Sequence, residues 1–334
     1  MTDGVLLELR HVVTELPIDG EYLPVVREVS FVARRGEVVG LVGESGSGKS
    51  MTARSILRLL PRGGRTRGQI LFDGADILTA DSSTLRMLRA RRIAMIFQDP
   101  RAHVDPLYRC GDHLDDALRI HLGLGRNAAR TRSLELLAEV GIADPGRVYR
   151  SYPGELSGGM LQRVMIAGAL AVDPDLLIAD EPTTALDVTI QADIMAILDG
   201  LRHRRHLSAV FITHDLELAA MICDRVLVMY AGRVLEDRTT ADLFSRPLHP
   251  YTAGLLRARP LLEGRRDRLE TIPGRPPRLV EIGDGCPFAP RCGFVEDACR
   301  SGAPIPREVE PGQATACRRS EDLVAQLAPA GETR

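Results

Sequence analysis

The sequence has almost no lysine and no tryptophan. Lysine and arginine together number 43 of the 334 residues, yet Lys49 is the only lysine among them. Aromatic residues make up 4% of the chain, and the formal net charge is −2. This charge balance gives no electrostatic reason to expect nucleic-acid binding. The single lysine, in contrast, marks a position that arginine does not fill.

Long apolar runs are also missing. No run approaches the roughly 18 residues that a membrane-spanning helix needs, so we expect any membrane association to go through a partner. The first residues mix acidic and apolar side chains. That mixture is typical of neither a secretory signal nor a transit peptide.

Six cysteines are distributed unevenly along the chain. Cys110 and Cys223 stand alone, which favours small buried side chains. The other four crowd the carboxyl-terminal part, at Cys286, Cys292, Cys299 and Cys317. Disulfides are rare in cytosolic proteins, so this group indicates a metal or redox site.

Strand-like and helical segments alternate along most of the chain. Short apolar runs predict strands at 38–42, 68–74, 92–98, 175–181 and 208–214, and a hairpin at 225–236. Helices are predicted at 49–60 and through a stretch from about 100 to 170. This alternation indicates a parallel α/β sheet interrupted by a helical subdomain. Past residue 261, proline, glycine and cysteine become dense and periodicity is lost, so a boundary is predicted near residue 260.

The lone lysine lies in a glycine-rich stretch, GESGSGKS, that fits the phosphate-binding loop pattern. Successive backbone N–H groups would turn inward around phosphate oxygens, and the following helix adds its dipole. We predict that Lys49 reaches the β- and γ-phosphates and that the Ser50 hydroxyl ligates Mg²⁺. A guanidinium fork would overfill such a cavity, whereas a slim ammonium bridges two phosphates. The predicted nucleotide-binding set of the loop is Gly43, Glu44, Ser45, Gly46, Ser47, Gly48, Lys49, Ser50 and Met51.

A second chemical motif is the apolar strand DLLIADEP, which ends in two carboxylates. Asp180 at the strand tip is predicted to hold Mg²⁺, directly or through water. Glu181 is predicted to polarise the attacking water as a general base.

The stretch ELSGGMLQR places a serine and two glycines before a helix, which is a further anion-binding arrangement. With this motif the chain resembles the ATP-binding-cassette (ABC) ATPases. The resemblance implies that the signature loop, Ser157, Gly158 and Gly159 with Gln162 following, contacts the γ-phosphate held by an opposite subunit. Two nucleotides would then lie between two subunits.

The resemblance assigns further residues. It implies that Gln98 senses Mg²⁺ and the attacking water, that His214 contacts the γ-phosphate, and that the loop from Ala185 to Asp187 crosses the dimer interface. Gln98 would join Ser50 and Asp180 around Mg²⁺. Tyr22 is the nearest candidate for stacking on adenine, with an exposed hairpin tyrosine as the alternative. All the catalytic elements, Glu181, His214 and Gln98 among them, are intact.

The chain is most similar to the ATP-binding subunits of oligopeptide and dipeptide importers, through the phrases HPYTAGLL and GCPFAPRC. The resemblance implies an ABC-type P-loop fold with a RecA-like parallel core, an antiparallel β subdomain and a helical signature subdomain at about 100–170. Its domains would be an ATPase at 5–260 and an extension at 261–325. It also implies a [4Fe–4S] cluster on the four clustered cysteines; a zinc site or free or disulfide-forming thiols are the alternatives.

The implied function is ATP hydrolysis that drives peptide uptake from the cytoplasmic face of the membrane. Two permease subunits, a second related ATPase (suggested by Met51 after the lysine-serine pair) and, indirectly, an extracellular binding protein are the expected partners. An importer of nickel or another small solute is the alternative. A soluble cassette ATPase acting on nucleic acid or ribosomes is a more remote one, because coiled-coil insertions, a second cassette and basic arms are missing.

Overall fold

The computed structural model describes residues 4–184, 186–258 and 271–328. Within these ranges the strands are β1 (Val5–Ile18), β2 (Glu21–Arg34), β3 (Val38–Val42), β4 (Arg65–Phe72), β5 (Ala75–Asp76), β6 (Ile93–Ile96), β7 (Leu176–Asp180), β8 (Ser208–Thr213), β9 (Arg225–Tyr230), β10 (Arg233–Thr239), β11 (Arg307–Glu310) and β12 (Gln313–Thr315). The α-helices are α1 (Lys49–Ile56), α2 (Ser82–Met87), α3 (Pro100–His103), α4 (Cys110–Leu122), α5 (Arg126–Glu139), α6 (Pro145–Arg150), α7 (Gly158–Leu170), α8 (Val188–Arg205), α9 (Leu216–Ile222), α10 (Thr240–Ser245), α11 (Pro250–Arg257), α12 (Asp297–Arg300) and α13 (Val324–Leu327).

The chain forms two compact units. Of the described residues, the first unit contains those within 1–7, 33–38 and 72–212, and the second contains those within 8–32, 39–71 and 213–334.

In the first unit, β6, β7 and β8 form parallel pairs, with Ile93 opposite Leu176 and Leu176 opposite Ser208. All residues of β7 and β8 are buried. Continuous apolar strands of this kind are typical of a parallel sheet covered on both faces. The carboxyl end of β7 therefore presents Asp180 from a rigid, buried strand.

The helical part of the first unit is held by a buried carboxylate on α4. Asp115 accepts hydrogen bonds from the Ser133 hydroxyl on α5 and the Tyr149 hydroxyl on α6, both at 2.7 Å. The ring of Tyr149 lies against Gly111, where a Cβ would be 2.5 Å from it. These contacts fix the helices that precede α7.

In the second unit, β3 is fully buried and pairs in parallel with β9. The β9–β10 hairpin is antiparallel, and β10 also pairs with β12, Glu236 lying opposite Thr315. Strands β11 and β12 form the outer antiparallel pair. Strands β2, β1 and β4 neighbour one another in that order, and the two-residue connection makes β1 and β2 antiparallel.

These observations confirm the expected fold class, with mixed parallel and antiparallel sheets and interspersed helices. Cys110 and Cys223 are buried, as predicted. Strands β11 and β12 were not anticipated, because short strands at a sheet edge leave little periodic signal and their pairing with β10 is non-local. None of the helices in the described ranges combines the length and apolarity required to cross a bilayer.

Candidate functional site

The glycine-rich loop connects the end of β3 to the start of α1. Gly43 lies so close to β9 that a Cβ there would be 2.1 Å from the Met229 carbonyl oxygen. Gly48 has φ +102°, a conformation that favours glycine, and a Cβ there would be 2.9 Å from the Val25 carbonyl oxygen. The two glycines thus let the loop pass close to the backbones of β2 and β9.

Lys49 is buried inside this loop, with 4% of its surface exposed. Its Nζ donates to the carbonyl oxygen of Gly43 at 2.7 Å and to that of Glu44 at 3.0 Å. Two carbonyls therefore hold the ammonium inside the turn. Ser50 follows on the first turn of α1, and Ser45 and Gly46 form the exposed tip of the loop.

The β9–β10 turn and α11 also hold the loop. Gly232 N donates to the Ser47 carbonyl at 2.9 Å, and the Glu44 N–H donates to the Tyr251 hydroxyl at 2.9 Å. A guanidinium from the carboxyl-terminal extension, that of Arg291, pairs with the Glu44 carboxylate. Neither Tyr251 nor Arg291 was predicted from the sequence to hold the loop, although Tyr251 lies in the stretch HPYTAGLL.

Tyr22 lies on β2, three residues before Val25. Tyr22 is 45% exposed, and the Arg65 guanidinium lies 3.8 Å from the centroid of its ring. The strand therefore passes beside the phosphate-binding loop at Val25, while an arginine covers one face of the tyrosine. A base that stacks on Tyr22 would use the other face or displace Arg65.

His214 lies between β8 and α9 in the second unit and is exposed. The next residue, Asp215, caps α9 by accepting a hydrogen bond from the Glu217 N–H at 2.7 Å. The Asp215 N–H in turn donates to the Thr213 hydroxyl at 3.0 Å. The cap and this bond fix the backbone on the helix side of the histidine.

The two carboxylates after β7 differ in environment. Asp180 is 2% exposed, whereas Glu181 is only partly buried. Glu181 adopts φ +47°, a strained conformation for a non-glycine residue that is found preferentially at functional sites. Its N–H continues the β7–β8 ladder by donating to the Ile212 carbonyl at 3.0 Å.

The Glu181 side chain is anchored by two donors. Gln98 Nε2 donates to its carboxylate at 2.9 Å, and the Thr184 hydroxyl donates at 2.7 Å. The structure thus brings together Gln98 and Glu181, which are 83 positions apart in sequence. The two donors therefore fix the position of the Glu181 carboxylate.

The signature stretch starts α7. Ser157 is exposed and caps the helix by accepting from the Met160 N–H at 3.4 Å. Gly159 allows close packing of α7 on α8, since a Cβ there would be 2.6 Å from Ile190. Gln162 is 2% exposed, and its Nε2 has no hydrogen-bond partner among the described residues. Of the residues predicted for the signature loop, Ser157 is therefore exposed and Gln162 is buried.

Asp187 caps α8, and its carboxylate accepts from the Ile190 N–H at 2.9 Å. Ala185, the first residue of the predicted interface loop, lies outside the described residues, as do residues 261–270 of the predicted extension.

The four clustered cysteines line one cavity, together with Phe288 and Phe294. All four are free thiols. Burial raises the pKa of the Cys317 thiol to about 11, and the neighbouring thiols add to the shift. Across residues 4–184, 186–258 and 271–328, no three or more His, Cys, Asp or Glu side chains are arranged to hold a single metal ion.

Comparison with known proteins identifies the relatives of this chain. The ABC transporter family matches residues 26–184, and the family "Oligopeptide/dipeptide transporter, C-terminal region" matches residues 235–299. A probable peptide ABC transporter ATP-binding protein of Sinorhizobium fredii is 46% identical over 96% of both chains. The oligopeptide transport ATP-binding protein OppD of Salmonella typhimurium is 45% identical over 94% of this chain and 93% of that protein.

Solved structures agree with these relatives. A dimeric bacterial ABC transporter cassette superposes with a TM-score of 0.64 at 28% identity, covering 70% of this chain and 99% of the cassette. The same cassette in a post-hydrolysis state bound to ADP and Pi gives the same values. The phosphate-binding loop, the anchored carboxylate and these similarities lead to one conclusion: the chain belongs to the ATP-hydrolysing ATP-binding proteins of ABC transporters that carry the oligopeptide/dipeptide transporter C-terminal region.

Proposed function

We propose that this chain couples ATP hydrolysis to the import of oligopeptides or dipeptides through a membrane permease. The observation that carries the hydrolytic part is the Glu181 carboxylate, fixed by Gln98 and Thr184 at the end of a buried strand. The peptide cargo is supported by the names of its relatives and by the C-terminal region that it shares with them.

The proposed roles follow from the chemistry of the phosphate-binding loop and the strand-end carboxylates and, for Gln98 and His214, from the resemblance to the ABC ATPases. Lys49 would neutralise the β- and γ-phosphates of ATP, and Ser50, Asp180 and Gln98 would supply oxygen ligands for Mg²⁺. Glu181 accepts a proton from the attacking water, and His214 contacts the γ-phosphate. The bond between Gln98 and Glu181 supports a shared task of the two residues in orienting that water.

Glu181→Gln tests this proposal. The amide keeps the size of the side chain but removes the base, and loss of a general base costs typically 10²–10⁴-fold in rate. We expect the variant to bind ATP as the native protein does and to release phosphate at least about 100-fold more slowly. Glu135→Gln, on the exposed face of α5, is the matched control. Full turnover by Glu181→Gln would refute the assigned role.

We also propose that the chain works in a heterodimer with a second, related ATPase. The exposed Ser157 at the start of α7 is suited to contact a nucleotide held by another subunit, and Met51 is the residue that suggested a non-identical partner. Two permease subunits and an extracellular binding protein complete the proposed assembly at the cytoplasmic face of the membrane. Purification of the complex with one tagged ATPase would show whether a second, different ATPase accompanies it.

For the extension, predicted at 261–325, we propose a [4Fe–4S] cluster on the four cysteines. Four thiols that line one cavity supply the ligand set of such a cluster. Burial opposes thiolate formation at Cys286, Cys292 and Cys317 by raising the thiol pKa, and a bound cation would reverse this effect. The cluster would brace the extension.

Anaerobic purification followed by iron, sulfide and zinc analysis tests this part. Four irons and four sulfides per chain, with visible absorption, are expected. A colourless protein with one zinc per chain would favour the zinc site. A metal-free protein would favour free or disulfide-forming thiols. Uptake assays with labelled peptides and with ⁶³Ni²⁺ separate peptide cargo from nickel, and a nucleic-acid-binding assay tests the remote alternative.

A further inference from the structure

The phosphate-binding loop is fastened to the carboxyl-terminal extension by one arginine. Arg291 donates from Nη1 to Glu44 Oε2 at 2.7 Å and from Nη2 to Oε1 at 3.2 Å. The pair is bidentate and largely buried, with side-chain exposures of 7% for the arginine and 25% for the glutamate. Charge-assisted hydrogen bonds are roughly twice as strong as neutral ones, and a buried bidentate pair is screened less than an exposed ion pair.

The Arg291 guanidinium makes further contacts besides the pair with Glu44. Its Nε donates to the Pro273 carbonyl at 2.8 Å, and its Nη1 donates to the Tyr230 hydroxyl at 3.2 Å. The rings of Tyr230 and Phe288 lie 5.8 and 6.0 Å from its central carbon. Because the fork is pre-oriented by these contacts, it fixes the carboxylate in direction as well as in distance.

The backbone of Glu44 is held as firmly as its side chain. Its N–H donates to the Tyr251 hydroxyl at 2.9 Å, and its carbonyl accepts from Lys49 Nζ at 3.0 Å. Tyr251 is fully buried and packs against the ring of Tyr230 at a centroid distance of 4.7 Å. One residue thus connects the arginine of the extension to the ammonium of the loop.

Arg291 also lies on the turn that joins two of the clustered cysteines. Ala289 N donates to the Cys286 carbonyl at 3.0 Å, and Cys292 N donates to the Ala289 carbonyl at 3.3 Å. The arginine is the last residue of this turn before Cys292. The turn that joins these two cysteines therefore also carries the guanidinium.

We propose that Arg291 is a positioning residue for nucleotide binding: through Glu44 it holds the loop carbonyl that orients Lys49. The inference rests on the proposed role of the loop as the ATP site. It gives the carboxyl-terminal extension a direct effect on ATP affinity, exerted from within the same chain.

The test compares variants of the purified full-length chain. Arg291→Met retains a long apolar stem and removes the charge; Glu44→Gln removes the other charge. Breaking one partner of a buried pair leaves the other uncompensated, so each variant should weaken binding of a fluorescent ATP analogue by about 10-fold or more. KM for ATP should rise accordingly, while kcat at saturating ATP changes less than about threefold, because the loop is displaced rather than chemically altered.

The double variant Glu44→Gln, Arg291→Met should bind ATP as tightly as the single variant with the lower ATP affinity, because both substitutions break the same interaction. Exchanging the charges (Glu44→Arg with Arg291→Glu) should restore binding relative to Arg291→Glu alone. Arg275→Met, which breaks the exposed Arg275–Glu281 pair of the same extension, is the control and should bind as the native chain does.

Native ATP affinity in Arg291→Met and Glu44→Gln would overturn the inference, as would additive effects in the double variant. If Arg291→Met fails to fold, Glu44→Gln decides the matter, because it leaves the extension unchanged. Failure of the proposed function would look different, since the native chain itself would then not bind ATP.

Discussion

Replacing Lys49 by arginine keeps the positive charge and changes only the shape of the cation. Nζ lies 2.7 and 3.0 Å from the carbonyl oxygens of Gly43 and Glu44, and the side chain is 4% exposed. A planar guanidinium with five N–H donors cannot occupy this narrow position without moving the loop. Lys49→Arg therefore tests whether the site requires a charge or an ammonium.

The magnitude follows from the proposed contacts of the ammonium with the β- and γ-phosphates. Each hydrogen bond that involves a charged group contributes about 1.5–3 kcal/mol, so misplacing a cation that bridges two phosphates costs about 3–6 kcal/mol. At about 1.36 kcal/mol per tenfold change in rate, kcat/KM for ATP should fall by roughly 10²–10⁴. In Lys49→Met, kcat/KM for ATP should fall by as much, because this variant has no cation at the position.

Phosphate release at several ATP concentrations measures the effect. Arg126→Lys, at an exposed position at the start of α5, is the reciprocal control and should leave kcat/KM unchanged. If Lys49→Arg retained activity within about threefold of the native protein, while Lys49→Met lost it, charge alone would suffice. The shape requirement would then be wrong.

Three further predictions concern packing. Gly48→Ala places a Cβ 2.9 Å from the Val25 carbonyl oxygen at a φ of +102°, so it should lower both the thermal midpoint of unfolding and the affinity for ATP. Gly125→Ala, where a Cβ meets nothing within 4 Å, is the control and should change neither. Glu236 accepts from two backbone N–H groups at 2.7 and 2.9 Å, so Glu236→Gln should lower the free energy of unfolding by about 1–3 kcal/mol in urea titrations; no change would contradict this. Burial and a hydrogen bond to Asp115 raise the pKa of Tyr149 from 10 to about 12. The stabilisation that comes from this shift should therefore be complete below pH 10 and disappear towards pH 12. In Tyr149→Phe the free energy of unfolding should not show this decrease between pH 10 and pH 12.

The elements that the sequence predicted well are those with a strong local signal. β3, β7 and β8 are short, buried apolar runs, and each was predicted within a residue or two of its bounds. The helix after the loop was predicted to reach residue 60 but ends at Ile56. Arg58 there adopts a left-handed φ of +50°, a backbone choice that residue periodicity does not reveal.

The carboxyl-terminal extension shows where prediction from sequence stops. Its proline- and cysteine-rich composition indicated an irregular segment, yet β12 pairs with β10 and continues the sheet. Strand pairing of this kind depends on partners distant along the chain, and a three-residue strand carries almost no pattern of its own. Gln162 Nε2, which has no hydrogen-bond partner within the part of the chain that the structure describes, is likewise recognised only once its neighbours are placed.

The sequence by itself determined that a glycine-rich loop would lead from a buried strand into a helix that begins at the lone lysine, because spacing, glycines and the lysine act within eight consecutive residues. It also determined that a carboxylate would end a buried strand. Only the tertiary structure decided which groups hold them. The Arg291–Glu44 pair joins positions 247 residues apart, and the hydrogen bond between Gln98 and Glu181 joins positions 83 residues apart. Such contacts arise from how elements pack, and packing is a property of the whole chain that no local pattern encodes.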